Sequence, residues 1–186
     1  MKFIFSDVFP DVLIIEPDVY PDQRGLFWEI YQVNKYTLNG ISQTFVQDNV
    51  SYSKRGVIRG LHYQLGKPQA KLVMVIDGEI FDVAVDIRKG SPTFGKWAGM
   101  IISSDNHRQV FVPEGFAHGY CVLSETTSVL YKCTDYYDPG EERGILWNDS
   151  SLNIGWPVVD AIVSEKDMKN PQLKSIQEND LPVYKR

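Results

Sequence analysis

Histidine and cysteine are scarce in this 186-residue chain, with three of the first and two of the second. The cysteines, Cys121 and Cys133, are too few for a disulfide framework and lack any C-x-x-C metal spacing. The expectation is reduced thiols, buried as packing residues in a cytoplasmic protein. No stretch approaches the roughly 18 uninterrupted apolar residues that a membrane helix needs. Asp7 and Asp11 interrupt the apolar start before a signal-peptide core can form. Positive charge is in deficit as well: 19 Lys and Arg stand against 24 Asp and Glu, for a net charge of −5. That sign argues against coating a nucleic acid or an anionic membrane, while leaving room for a local basic pocket. Gly at 14, Pro at 10 and charged residues at 23% are ordinary values, which excludes collagen-like repeats and wholesale disorder.

What is present reads as one mainly β domain over residues 1–186, with 43% hydrophobic residues to close a core. β-branched and aromatic blocks recur between turn residues about every ten positions, the spacing of a jelly-roll sandwich or barrel. Lys71–Ile76 and Glu79–Ile87 are strands, and Asp77-Gly78 between them is a hairpin-turn dipeptide. In the second strand Phe81, Val83, Val85 and Ile87 share one face. Ile80, Asp82, Ala84 and Asp86 share the other, which faces either water or a wet cavity. Further strands are expected over Val12–Ile15, Leu26–Tyr31, Gln43–Asn49, Val57–Gln64, Trp97–Ile102, Gln109–Pro113, Gly119–Leu123 and Thr127–Cys133. Helical signal is confined to Asn34–Leu38 and to Ser164–Asp167, which has the form of a capping box. Beyond about Asp138 the chain reads as a loop-rich arm.

His62 lies in Val57-Ile-Arg59-Gly60-Leu61-His62-Tyr63-Gln64, a strand that sets a guanidinium and an imidazole three residues apart. His107 sits in a polar turn and receives no role. Around His118, Pro113-Glu-Gly-Phe-Ala-His118-Gly resembles the second motif of the cupin superfamily of small β-barrels. Metal-binding cupins also need two histidines spaced by one residue, and position 64 here is Gln64. One histidine per motif is too few for a three- or four-ligand site, so the expectation is a metal-free barrel.

Longer runs make the resemblance specific. Asp22-Gln-Arg24-Gly25-Leu-Phe27-Trp-Glu29, Phe45-Val-Gln47-Asp48-Asn49-Val-Ser51, the His62 and His118 runs, Gly78–Arg88 and Ser164-Glu-Lys-Asp167 follow one another in order over most of the chain. In these the sequence resembles the dTDP-4-dehydrorhamnose 3,5-epimerase family, cupin-type isomerases of deoxysugar nucleotide synthesis. The resemblance implies a cofactor-independent epimerase acting on dTDP-4-dehydro-6-deoxy-D-glucose. The C4 ketone of that sugar acidifies the hydrogens on C3 and C5, so inversion needs a base, an enolate stabiliser and an acid on the opposite face.

By the same resemblance His62 is the base, a task for which the unperturbed imidazole pKa of about 6.5 is suited, and Asp167 orients it. Lys71 meets the oxyanion developing at O4. Tyr131 is the acid, and a nearby lysine is expected to bring its phenol down from about 10. Arg24 and Arg59 are implied as diphosphate ligands, assisted by Lys169 and His118. Glu29, Gln47, Asp48, Asn49 and Glu142 correspond to positions used for base, ribose and sugar hydroxyls, and Phe27, Tyr136 or Tyr137 would stack on thymine. The family also implies a homodimer with shared active sites, in which the Arg24–Glu29 segment reaches a neighbour's pocket. A non-catalytic sugar-nucleotide-binding cupin is the competing reading. It would keep Arg24, Arg59 and the aromatics without needing His62, Lys71 and Tyr131 together.

Overall fold

Alternation of inward and outward side chains carries most of the strands in the computed structural model, which describes residues 1–184. The elements run β1 (Lys2–Phe5), β2 (Leu13–Glu16), β3 (Val19–Asp22), β4 (Gly25–Trp28), α1 (Val33–Leu38), β5 (Gln47–Lys54), β6 (Val57–Gln64) and β7 (Lys71–Asp77). They continue through β8 (Glu79–Asp86), β9 (Trp97–Ser103), β10 (Gln109–Val112), β11 (Phe116–Val122), β12 (Thr126–Cys133), β13 (Glu142–Gly144), β14 (Ile162–Val163) and α2 (Glu165–Met168). The first sheet has the order β1-β2-β10-β7-β12-β5 and the second β13-β6-β11-β8-β9, with β14 added in parallel to β6. Facing each other, they make a cupin-like jelly roll. β3 and β4 form a separate two-stranded hairpin.

Between the sheets lies an apolar cluster that includes Val73, Val75, Val110 and Val129 from one side and Ile80, Ala84, Ala98 and Ile102 from the other. The β8 face left open by its periodicity is therefore the barrel interior, with Asp82 fully buried in it. The opposite β8 face, Val83, Val85 and Ile87, packs under Ile145, Leu152, Leu173 and Leu181 of the C-terminal arm. The loop-rich arm carries the short helix α2 expected from the capping box, and adds β13, β14 and two short 3₁₀ turns, because its apolar residues are spread singly and find their partners on the second sheet.

One sequence expectation needs correction, that of Asp77-Gly78. β7 pairs with β10 and β12 while β8 pairs with β11 and β9, so the turn is a corner between sheets and not a hairpin. Gly78 turns that corner at φ +88°, and a Cβ there would collide with Ser124 and Thr126.

Candidate active site

A cavity of about 490 Å³ opens between the sheets and continues into a lobe of about 300 Å³ that shares His62, Lys71, Tyr131, Tyr137 and Glu142. The two walls carry different chemistry. His62 and Arg59 come from β6 of one sheet, whereas Lys71 on β7 and Tyr131 on β12 come from the other. Lys71 ends the inward stripe that begins with the core residues Val75 and Val73, and its Cα partner is Cys133, two residues from Tyr131. One alternation thus delivers both groups to the same wall.

On β6 simple alternation would fail, since Arg59 and His62 are an odd number of residues apart. The strand solves this with a bulge: His118 pairs with His62 and Tyr120 with Arg59, so Gly60 and Leu61 stand opposite Gly119 alone. The extra residue re-aims the chain and both side chains line the cavity. Gly60 has φ +110° and a cis bond to Leu61. A Cβ on Gly60 would lie 2.6 Å from the Gly119 Cα, so no other residue fits.

His62 Nε2 lies 2.6 Å from Asp167 Oδ1. Asp167 is buried on α2, where Ser164 caps the turn by accepting the Asp167 backbone N–H at 3.1 Å. Burial alone would raise the Asp167 pKa, but the His62 hydrogen bond and charge, with the Gly60 and Ser164 contacts, hold it below the ordinary aspartate value. An ionised carboxylate only accepts, so Nε2 carries the proton and Nδ1 keeps the lone pair. An imidazole held in this tautomer can act as a base.

Burial acts on the facing wall in the usual directions for a cation and an acid. Desolvation lowers the Lys71 pKa, opposed by the charges of Cys133 and Glu142. It raises the Tyr131 pKa to about 12. The sequence expectation that a lysine would bring this phenol down is overturned, because desolvation and the neighbouring Cys133, Tyr120 and Glu142 all raise it and only Arg59 lowers it. Glu142 accepts from the Tyr137 hydroxyl at 2.7 Å and pairs with Lys166. Burial would raise the Glu142 pKa, but these contacts keep it below its usual value.

The family model for dTDP-4-dehydrorhamnose 3,5-epimerase matches residues 7–175. The chain belongs to the dTDP-4-dehydrorhamnose 3,5-epimerase family. It is 54% identical over 170 residues to the dTDP-4-dehydrorhamnose 3,5-epimerase of Shigella flexneri, covering 90% of this chain and 93% of that one. A Neisseria gonorrhoeae relative with the same description is 51% identical over 166 residues, 89% of this chain, and the chain spans about half that relative's length. Among solved structures, the dTDP-6-deoxy-D-glucose-3,5-epimerase of Legionella pneumophila Philadelphia 1, in complex with dTDP-4-keto-L-rhamnose, superposes with a TM-score of 0.96. It is 49% identical, and the match covers 100% of this chain and 99% of that one.

Of the residues implied by resemblance to this epimerase family, His62, Lys71, Tyr131, Asp167, Arg59, His118, Gln47, Asn49 and Glu142 line the cavity or its lobe. Arg59 donates to Ser53 Oγ at 3.0 Å. Gln47 Oε1 accepts the Tyr137 backbone N–H at 2.9 Å and so holds that aromatic over the lobe. Gln64, where metal-binding cupins have a histidine, spends its amide on the carbonyls of Lys67 and Tyr136 and the N–H of Asp138.

Six others lie outside. Arg24, Phe27 and Glu29 sit on or beside the β3–β4 hairpin, with the Arg24 side chain 85% exposed and paired to Asp22, and Glu29 paired to Lys35. Asp48 occupies the outer face of β5 and pairs with Lys132 at 2.8 Å, because alternation turns Gln47 and Asn49 inward and Asp48 outward. Tyr136 is 64% exposed and its neighbour Tyr137 takes the cavity position. Lys169 is exposed near Glu165, while Lys166, one turn earlier and not anticipated, lines the site. Ser51 and Tyr120, hydrogen-bonded to each other at 2.6 Å, were also missed. For Ser51 the signal was present, since Gln47, Asn49, Ser51 and Ser53 share one strand face.

Proposed function

We propose that His62, Lys71, Tyr131 and Asp167 perform the family reaction in this chain. The chain is an isomerase, and that reaction inverts C3 and C5 of dTDP-4-dehydro-6-deoxy-D-glucose to give dTDP-4-dehydro-L-rhamnose. What carries the assignment of roles is the division of the groups between two walls: the base His62 on one sheet, the proton-bearing Tyr131 and the cation Lys71 on the other. Inversion removes a proton from one face of a carbon and returns it to the other, and a sugar held between these walls presents one face to each. His62 Nδ1 abstracts the proton beside the ketone, with Asp167 stabilising the imidazolium. The buried Lys71 ammonium stabilises the enolate oxygen, and Tyr131 reprotonates the carbon.

Arg59 is the diphosphate ligand supplied by this chain's own cavity. The exposed hairpin bearing Arg24, Phe27 and Glu29 fits an arm that completes the site of a second copy, in a homodimer with shared sites. The free thiols Cys121 and Cys133 fit a cytoplasmic setting. Among the described residues no helix is long and apolar enough to cross a membrane.

The test is incubation with dTDP-4-dehydro-6-deoxyglucose in D₂O, following deuterium at C3 and C5 by NMR. We expect deuterium at both carbons of an L-configured product. Binding without incorporation would transfer the chain to the non-catalytic reading.

A further inference from the structure

His62 is reached from two sides. A further cavity of about 320 Å³ runs along the edge strand β13 and shares His62, Glu142 and Lys166 with the first, but neither Lys71 nor Tyr131. Its outer walls include the polar side chains of Asn170, Ser175 and Gln177, the last two exposed to solvent. Gly144 of β13 is the Cα partner of His62, and side chains so paired stand on one face of a sheet. A Cβ on Gly144 would collide with the Asn170 side-chain amide, so that amide takes the place beside His62 that the glycine leaves open. Asn170 follows Asp167 by three residues and its backbone N–H donates to the Asp167 carbonyl at 3.4 Å. One turn thus carries both the aspartate bonded to His62 and the amide beside it.

Asn170 Nδ2 is buried and has no hydrogen-bond partner among the described residues. Buried amide donors are normally satisfied, and where a cavity offers room the partner is water. Water takes roughly 30 Å³ in the liquid, so this cavity has room for a file of molecules from the exposed Ser175 to the amide beside His62. The proton balance of a double inversion needs such a file. The first inversion finds His62 neutral and leaves it an imidazolium, with Tyr131 a phenolate. A second inversion of the same bound sugar requires a neutral His62 again. Asp167 is buried and occupies Nε2, and a sugar in the first cavity covers the ring from that side, which leaves the further cavity as the approach for water.

We propose that this cavity is the exit through which His62 sheds the abstracted proton while the sugar stays bound, and that Asn170 positions the water that takes it. The imidazolium gives its Nδ1 proton to that water, an excess proton passes along the file to solvent, and the ring returns to its neutral form with Nε2 still on Asp167. Tyr131, which also lines the lobe, regains a proton from water on its own wall, so each inversion sends one proton out and takes one in. The inference rests on the reading of His62 as the base of a two-carbon epimerase. It makes Asn170 a positioning residue for the second inversion and not for the first.

Single turnovers of dTDP-4-dehydro-6-deoxyglucose in D₂O, quenched at short times, read the two carbons separately. Asn170→Leu keeps the size of the side chain without its donor, and Ser175→Trp closes the outer end at an exposed position. In both variants the first carbon should take up deuterium at the wild-type rate and the second about tenfold more slowly, with release of sugar inverted at one carbon. Imidazole, a diffusible base, should restore the second rate in Asn170→Leu. Equal slowing at both carbons, as a merely structural role would give, overturns the proposal. So do wild-type rates at both carbons in both variants, or a slow second carbon that does not respond to imidazole. Failure of the catalytic reading shows separately, as absent deuterium entry at either carbon in the wild type.

Discussion

Lys71 and Tyr131 share a wall and a cause, burial, yet it moves them in opposite directions, the ammonium down and the phenol up to about 12. Tyr131 therefore keeps its proton through the neutral range and well beyond. Lys71 is the group that fails first as pH rises. Its folded-state pKa lies below the ordinary lysine value, so the alkaline limb of kcat/KM should fall there, before Tyr131 ionises. Lys71→Arg, whose cation does not titrate, should flatten that limb even if its rate is lower; a pH–rate series on both proteins checks this. His62→Ala should lower solvent exchange at both carbons by about 10²–10⁴-fold. Tyr131→Phe should retain exchange while blocking completed inversion, which deuterium content and product configuration separate. At this scale His62 stood out as a candidate because the chain has three histidines, while its reading as the base came from family resemblance. Tyr131 was legible only through family resemblance, since a strand tyrosine has no local mark of an acid, and its pKa direction depended on burial that no sequence states.

Two elements decide whether those groups meet. The β6 bulge aims Arg59 and His62 into one cavity, and α2 carries Asp167 to His62 across 105 residues of chain. Ser164 caps α2, so Ser164→Ala should cost about 1 kcal/mol of stability in urea denaturation. It should also slow turnover by loosening Asp167. The Asp167 pKa is depressed in the folded state, so its contribution is fully present above the unfolded value of about 3.9 and is lost as pH falls through the folded one. The stability gap between wild type and Asp167→Asn should accordingly be largest at neutral pH and shrink in acid, measured by urea titration at about pH 7 and about pH 3. The capping box announced α2 in the sequence. The bulge did not announce itself, because glycines at 60 and 119 gain meaning only when two strands lie side by side.

At the scale of the whole molecule, the cavity receives nothing from the β3–β4 hairpin of its own chain. If that hairpin completes a neighbour's site, Arg24→Ala and His62→Ala are each inactive alone but complement when mixed and reassociated. Half the dimers are then mixed and each has one intact site, so activity should return to about a quarter of wild type. No recovery in a protein shown to exchange subunits would remove the arm from the site.

Composition and periodicity by themselves determined a mainly β chain, most of its strands and one small set of chemistry-bearing histidines, because alternation and turn residues are local properties. Only the tertiary structure decided that Asp77-Gly78 is a corner, that Asp48 faces out while Lys166 faces in, and that His62 is reached from two cavities. Those outcomes depend on which sheet a strand joins and on how much water reaches a side chain, and both are set by distant parts of the chain.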